Sequence, residues 1–194
     1  MYGLINRAIE CFVTETYGEA VWLRVAARAQ PGLRRIEAML DYPPDLTMRL
    51  LDALSQDLER ELPALLEDLG TFLVSGQGMV AIRRLLRFGG CEFLDFLTSL
   101  EELPGRARMA LPDLDLPGLD LLDEGEGCYR LTCQAGMPGY GAVMVGLLRA
   151  MADEYGALVL LDYGGEAPDG AETVWIVLVE QAFAKARAFE LVRQ

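Results

Sequence analysis

The chain of 194 residues contains no histidine. Without imidazole there is no Ser/His/Asp or Cys/His triad of the usual kind and no His-bearing metal motif. No side chain has an unperturbed pKa near neutrality. Long apolar runs are missing as well, and none reaches the length of a membrane span. The start, Met1 to Arg7, lacks a signal-peptide layout, because Glu10 and Glu15 interrupt the apolar stretch that would follow. A cytoplasmic chain is expected. Positive charge is scarce, with 17 Lys plus Arg against 30 Asp plus Glu and a net charge of −13. Such a chain repels phosphate backbones and anionic lipid, so neither nucleic acid nor membrane is an expected partner. The basic residues cluster once, in Arg83-Arg84-Leu85-Leu86-Arg87, which is expected to be a solvated helix face.

Repeats and low-complexity runs are also absent. Phosphate-binding glycine loops are missing: no lysine–serine pair follows Gly164-Gly165, and Gly136 to Gly141 lacks the dinucleotide pattern. The acid pairs Glu101-Glu102 and Asp123-Glu124 fall at a helix end and in a turn, where solvated charge is the ordinary explanation. The cysteines, Cys11, Cys91, Cys128 and Cys133, are scattered, and cytoplasmic thiols are normally reduced. Cys128 and Cys133 share one expected strand at odd spacing, which puts them on opposite faces of a sheet. Buried thiols, not a zinc pair or a disulfide, are the default. No catalytic residue and no metal ligand is assigned.

What is present is a folded composition, 52% hydrophobic, long enough for one substantial core or two small ones. Helical spacing marks residues 3–15, through Ile5, Ile9, Phe12 and Val13, and then Ala20 to Arg28. Asp45 is a candidate N-cap for the helix carrying Met48, Leu51, Leu54 and Leu58. Pro63 suits a first helical turn, and the helix after it stops at Gly70. Phe72 to Phe88 reads as mostly helical, and residues 91–103 as one amphipathic helix. The character changes at Pro104-Gly105. Strands are expected over Leu119 to Leu122 and Cys128 to Gln134, around the acidic turn from Asp123 to Gly127. A helix follows from about Gly139 to Glu154, then strands over Leu158 to Tyr163 and Thr173 to Glu180. The tail, Ala182 to Gln194, reads as a short helix. Helices first, then strand–strand–helix–strand–strand, is an α+β pattern with segregated parts.

The opening Met1-Tyr2-Gly3-Leu4-Ile5-Asn6-Arg7-Ala8, with Thr16-Tyr17-Gly18-Glu19-Ala20-Val21-Trp22, resembles the haem–nitric oxide/oxygen-binding domain, H-NOX. This is the haem domain of soluble guanylate cyclase and its bacterial relatives. The likeness continues through Tyr42-Pro43-Pro44-Asp45, Leu69-Gly70-Thr71-Phe72, Leu85-Leu86-Arg87-Phe88 and Glu92-Phe93-Leu94. Leu111-Pro112, Leu116-Pro117 and Val143 to Arg149 complete it. It covers roughly residues 1–181 as one sensor domain, with a helical part to about residue 104, a sheet part over about 111–181 and a tail from 182. In the family, a histidine ligates haem iron and a Tyr-x-Ser-x-Arg motif binds the propionates. Aligned through Glu92-Phe93-Leu94, the histidine position falls on Glu101; counted back from Pro112 it falls on Pro104. The motif positions fall on Cys133, Ala135 and Met137. Losing both the axial ligand and the partners of two carboxylates argues against the family's haem mode.

Ile5, Ile9, Val143 and Leu147 resemble the wall of the ligand pocket, and Pro117 matches a proline that distorts the haem in relatives. With Glu101 they make the candidate pocket lining; their other reading is ordinary core. The first functional expectation is a non-catalytic H-NOX-fold sensor or regulatory domain with a degenerate haem site. It would bind another apolar small ligand between its helical and sheet parts, or act through protein contacts alone. The resemblance implies a separate signalling partner, a histidine kinase or a cyclic-nucleotide enzyme. The second is a haem-binding NO sensor with another axial ligand, for which Cys91, Met109 and Tyr140 are candidates. The third is a small enzyme on an apolar or tetrapyrrole-like substrate.

Overall fold

A computed structural model describes residues 2–112 and 114–184. Two compact units divide the chain, residues 1–65 and residues from 66 onward. The division falls inside a helix; the change from helices to strands comes later, within the second unit.

In the first unit, α1 (Tyr2–Tyr17) and α2 (Glu19–Ala29) are separated by Gly18, whose φ of 94° favours glycine. α3 spans Leu46–Leu58. The inward faces follow helical spacing: Ile9, Phe12 and Val13 on α1, Trp22, Val25 and Ala26 on α2, Leu46, Leu50 and Leu54 on α3, all buried. Two hydrogen bonds hold the irregular connection before α3. Buried Glu10 accepts the Ile36 N–H at 2.8 Å and pairs with Arg7, and Trp22 Nε1 donates to the Arg34 carbonyl at 2.8 Å. Asp45 does stand at the N-cap of α3, but its carboxylate makes no cap bond and pairs instead with Arg49 at 3.4 Å.

α4 (Leu62–Ser75) runs from the first unit into the second. It is followed by α5 (Val80–Arg87), α6 (Phe93–Thr98), a 3-10 turn (Leu100–Glu102) and α7 (Leu103–Ala110). Two expectations are corrected here. Phe72 to Phe88 is two helices, because the Gly76-Gln77-Gly78-Met79 stretch opens the chain between them. Residues 91–103 are not one helix either, and Pro104 does not end the helical part. It sits in the first turn of α7, where its missing N–H costs nothing. The Arg83–Arg87 cluster is only partly a solvated face. Arg83 approaches buried Glu154 at 3.9 Å, and the Arg87 guanidinium lies 4.1 Å from the Tyr155 ring centroid.

β1 (Leu119–Gly125), β2 (Cys128–Cys133), β3 (Leu158–Glu166) and β4 (Glu172–Glu180) form one antiparallel sheet in the order β1-β2-β4-β3. The acidic turn is tighter than expected. β1 carries Asp123 and Glu124, and only Glu126 and Gly127, with φ of 55° and 78°, make the reversal. The expected terminal helix does not begin at Ala182, since residues 181–184 form turns; the remainder lies outside the described residues.

α8 (Tyr140–Tyr155) lies between β2 and β3 in sequence and packs on the sheet. Its buried side chains join Leu131, Val174 and Ile176 from the strands and Phe93, Phe96 and Leu97 from α6 in one core. Against α4 it packs backbone to backbone. A Cβ on Gly146 would stand 1.8 Å from the Glu67 carbonyl oxygen, and one on Gly70 would stand 2.0 Å from that of Val143. Arg149 pairs with Glu67 at 2.9 Å across the same crossing. The helical part followed by an antiparallel sheet is the α+β arrangement the sequence pattern predicts.

Candidate functional site

Glu101, one of the two candidates for the histidine position, is exposed in the 3-10 turn. Its Oε1 accepts the Leu121 N–H at 3.0 Å. β1 is an edge strand, so this carboxylate closes a ladder group that no neighbouring strand reaches. Pro104, the other candidate, is buried in α7 and carries no donor atom. Cys91 is exposed and Met109 is 82% exposed. Tyr140 lies in the core, where burial, with a smaller push from Cys133, raises its phenol well above the ordinary 10 and disfavours a phenolate.

The three residues expected at the Tyr-x-Ser-x-Arg positions sit at the end of β2 and in the loop to α8. Cys133 is buried, Ala135 exposed and Met137 half-buried. Directly across the ladder from Cys133 stands Glu172, the first residue of β4, which is 2% exposed. Its Oε1 accepts the Gly139 N–H at 2.6 Å; its Oε2 accepts the Gly141 N–H at 2.9 Å and the Tyr163 hydroxyl at 2.8 Å. A carboxylate from the chain itself therefore satisfies the start of α8, where the helix dipole favours negative charge. The field of that carboxylate is felt around it. Burial first, then Glu172, pushes the Cys133 thiol up to about 12. Burial, then the hydrogen bond and charge of Glu172, raises Tyr163 well above its ordinary value.

Sequence reasoning misses Glu172, although a signal exists. In Glu172-Thr173-Val174-Trp175-Ile176 the period-2 alternation puts the acid on the same face as Val174 and Ile176. An acid in phase with core positions needs internal partners.

The apolar candidates fall in two groups. Ile5, half-buried, and Ile9, buried, lie on α1 in the first unit. Val143, half-buried, and Leu147, buried, stand one turn apart on α8 in the second, at the segment where α8 meets Gly70. Pro117 is buried just before β1. Glu101 does not join the α8 pair in a hydrogen-bonded group; its partner is on β1. The first unit also carries a cleft of about 170 Å³ lined by Arg7, Glu10, Cys11, Trp22 and Arg35, among others. Burial raises the Cys11 thiol there, so it is no activated nucleophile. Cys128 and Cys133 are free thiols, Cys128 half-buried and Cys133 buried. Among the described residues no three His, Cys, Asp or Glu side chains are grouped to hold a metal ion, and no helix is long and apolar enough to cross a membrane.

Similar proteins agree with one another. An H-NOX protein from S. oneidensis in the Fe(II) ligation state superimposes with a TM-score of 0.76 at 15% identity, over 93% of this chain and 97% of that one. A T. tengcongensis H-NOX variant does so with a TM-score of 0.75 at 15% identity, over 94% of this chain and all of the other. Two Drosophila melanogaster proteins, soluble guanylate cyclases 89Db and 89Da, are 20% and 21% identical over 163 residues. The match takes in 84% of this chain and 24% of each relative, so the chain spans about a quarter of their length. The sequence profile described as Haem-NO-binding (HNOB) matches residues 2–161. With that profile matched over most of its length and the H-NOX fold around it, the chain belongs to the haem-NO-binding (H-NOX) family.

Proposed function

We propose that this chain is a non-catalytic H-NOX-fold regulatory domain whose haem site is degenerate and which acts in trans on a separate signalling protein. The observation that carries this reading is Glu172. The loop that corresponds to the propionate clasp offers Cys133, Ala135 and Met137, and the N–H groups beside it already hold a buried carboxylate. Two more carboxylates brought there by a porphyrin would meet a like charge, with no guanidinium at any of those three positions, an arrangement that desolvation makes costly. At the axial position, Glu101 is turned to β1 and Pro104 has nothing to donate. The residues present do not fit a haem held in the family's usual way, and no chemical step is assigned to one. Output would run through what the fold keeps, a four-stranded sheet packed on α8 around one core. A histidine kinase or a cyclic-nucleotide enzyme is the class of partner that the family suggests, and an apolar ligand on the Val143–Leu147 turn of α8 is compatible with it.

The second reading, a haem NO sensor with another axial ligand, is favoured by the family to which the chain belongs. One experiment separates the two. The purified chain is titrated with haem under reducing conditions and its visible spectrum recorded. A weak, non-saturating band is expected; a saturating Soret band at one haem per chain overturns the first reading.

A further inference from the structure

Among the described residues of the second unit, the apolar core lies on one face of the sheet. Its inner face packs on α8 and α6. On the outer face, Trp175 and Val179 of β4 are 42% and 53% exposed, Leu160 of β3 is 62% exposed and Leu122 of β1 is 50% exposed. Register makes these one patch. Leu160 pairs with Val177, and Val177 with Cys128. In the adjoining outward row Asp162, Trp175, Arg130 and Leu122 stand side by side. Strands lie about 4.8 Å apart, so the patch spans roughly 14 Å across the four strands. A helix about 10 Å wide covers most of it. An outer sheet face left to water alternates to polar residues; a contiguous apolar patch with a polar rim marks an interaction site.

The rim selects the occupant. Asp120, Glu124, Asp162 and Glu180 are exposed around the patch. Arg130, the cation among the described outward side chains, is engaged: it pairs with Glu124 at 2.9 Å and its guanidinium lies 5.7 Å from the Trp175 ring centroid. A second copy would bring acid against acid in a chain of net charge −13, and an anionic lipid surface is repelled in the same way. We propose that the outer face of the β1-β2-β4-β3 sheet docks an amphipathic helix of a partner protein, its apolar stripe on Leu160, Trp175 and Val179 and Lys or Arg along its edges. This rests on the reading of the chain as acting in trans and names the surface through which it does so.

The test uses the full chain and, as probe, a synthetic leucine–lysine helix of about 18 residues, long enough to hold its fold. A scrambled peptide of equal charge is the comparator. Trp22 is buried and Trp175 is exposed, so acrylamide quenching of fluorescence reports on Trp175. The helix peptide is expected to shield Trp175 and to bind at least about tenfold more tightly than the scramble. Leu160→Ser and Val179→Ser, which leave charge unchanged, are each expected to weaken it by about tenfold while circular dichroism stays the same. Equal binding of the scramble overturns the proposal, as does binding that leaves Trp175 equally quenchable or tolerates both variants. A concentration-dependent dimer in sedimentation that Leu160→Ser abolishes also overturns it, by making a second copy the occupant. The haem titration tests the functional reading separately.

Discussion

Glu172 is a buried acid with three donors on two oxygens, and its removal is felt at once. Glu172→Ala leaves the Gly139 and Gly141 N–H groups and the Tyr163 hydroxyl without their acceptor. Unpaired buried donors and a lost charged acceptor together cost about 2–4 kcal/mol. Urea denaturation at pH 7 is expected to show that loss as a lower midpoint with an unchanged slope. The neighbouring titrations give a second expectation. The Cys133 thiol rises from an ordinary 9.0 to about 12 in the folded chain, while unfolded it ionises at the ordinary value. Its contribution to stability is therefore complete below pH 9 and lost as the pH climbs towards 12. Tyr140 and Tyr163 are raised above an ordinary 10 and add to the decline from that pH upward. Stability measured between pH 7 and 11 is expected to fall from about pH 9. Cys133→Ala is expected to make the decline above about pH 9 shallower, leaving only the share of the raised Cys11 thiol before the tyrosines add theirs from about pH 10.

At the level of elements, α4 and α8 approach backbone to backbone at Gly70 and Gly146. Gly146→Ala puts a methyl 1.8 Å from the Glu67 carbonyl oxygen, where the obstacle is backbone and cannot step aside. Helix propensity alone would make this change stabilising by about 1 kcal/mol. The clash reverses the sign, to a loss of about 3 kcal/mol in chemical denaturation. Much of this architecture is legible in the residues alone. The four strands and the helices of the first unit follow from apolar residues at period 2 or 3.6, because each buries one face, whereas α8, buried on nearly every side, is marked by its length and its run of apolar residues. The breaks are harder to read. Pro104 looks like a stop yet opens α7, since a proline reads alike at the end of one helix and the start of the next. Gly76 and Gly78 look tolerable inside a helix that they in fact divide. The Leu121 N–H bond of Glu101 joins residues twenty positions apart, so only the folded chain reveals where that carboxylate points. Apolar candidates such as Ile9 and Leu147 are readable as buried, but burial alone does not tell a pocket wall from a core.

Over the whole molecule, charge governs behaviour. A net charge of −13 repels itself in the compact state, and few cations offset it. Screening shortens the range of that repulsion to about 10 Å at 0.1 M salt. Raising sodium chloride from about 20 mM to 0.5 M is expected to raise the melting temperature by about 4 °C, equivalent to roughly 1–2 kcal/mol for a chain of this size. Calorimetry checks this, and a falling melting temperature would mean that local ion pairs such as Arg24–Asp57 outweigh the overall repulsion. The same acidity limits what the exposed sheet face accepts.

The carboxylate of Glu172 is covalently tethered to β4, so its presence at the start of α8 is set by the fold and not by any concentration in solution. A diffusing acid that needed the start of α8 would compete against a neighbour that rebinds each time it lets go. That end of α8 is thus filled by the chain's own side chain whenever the fold is intact, and an acid from outside could take the place only by displacing it.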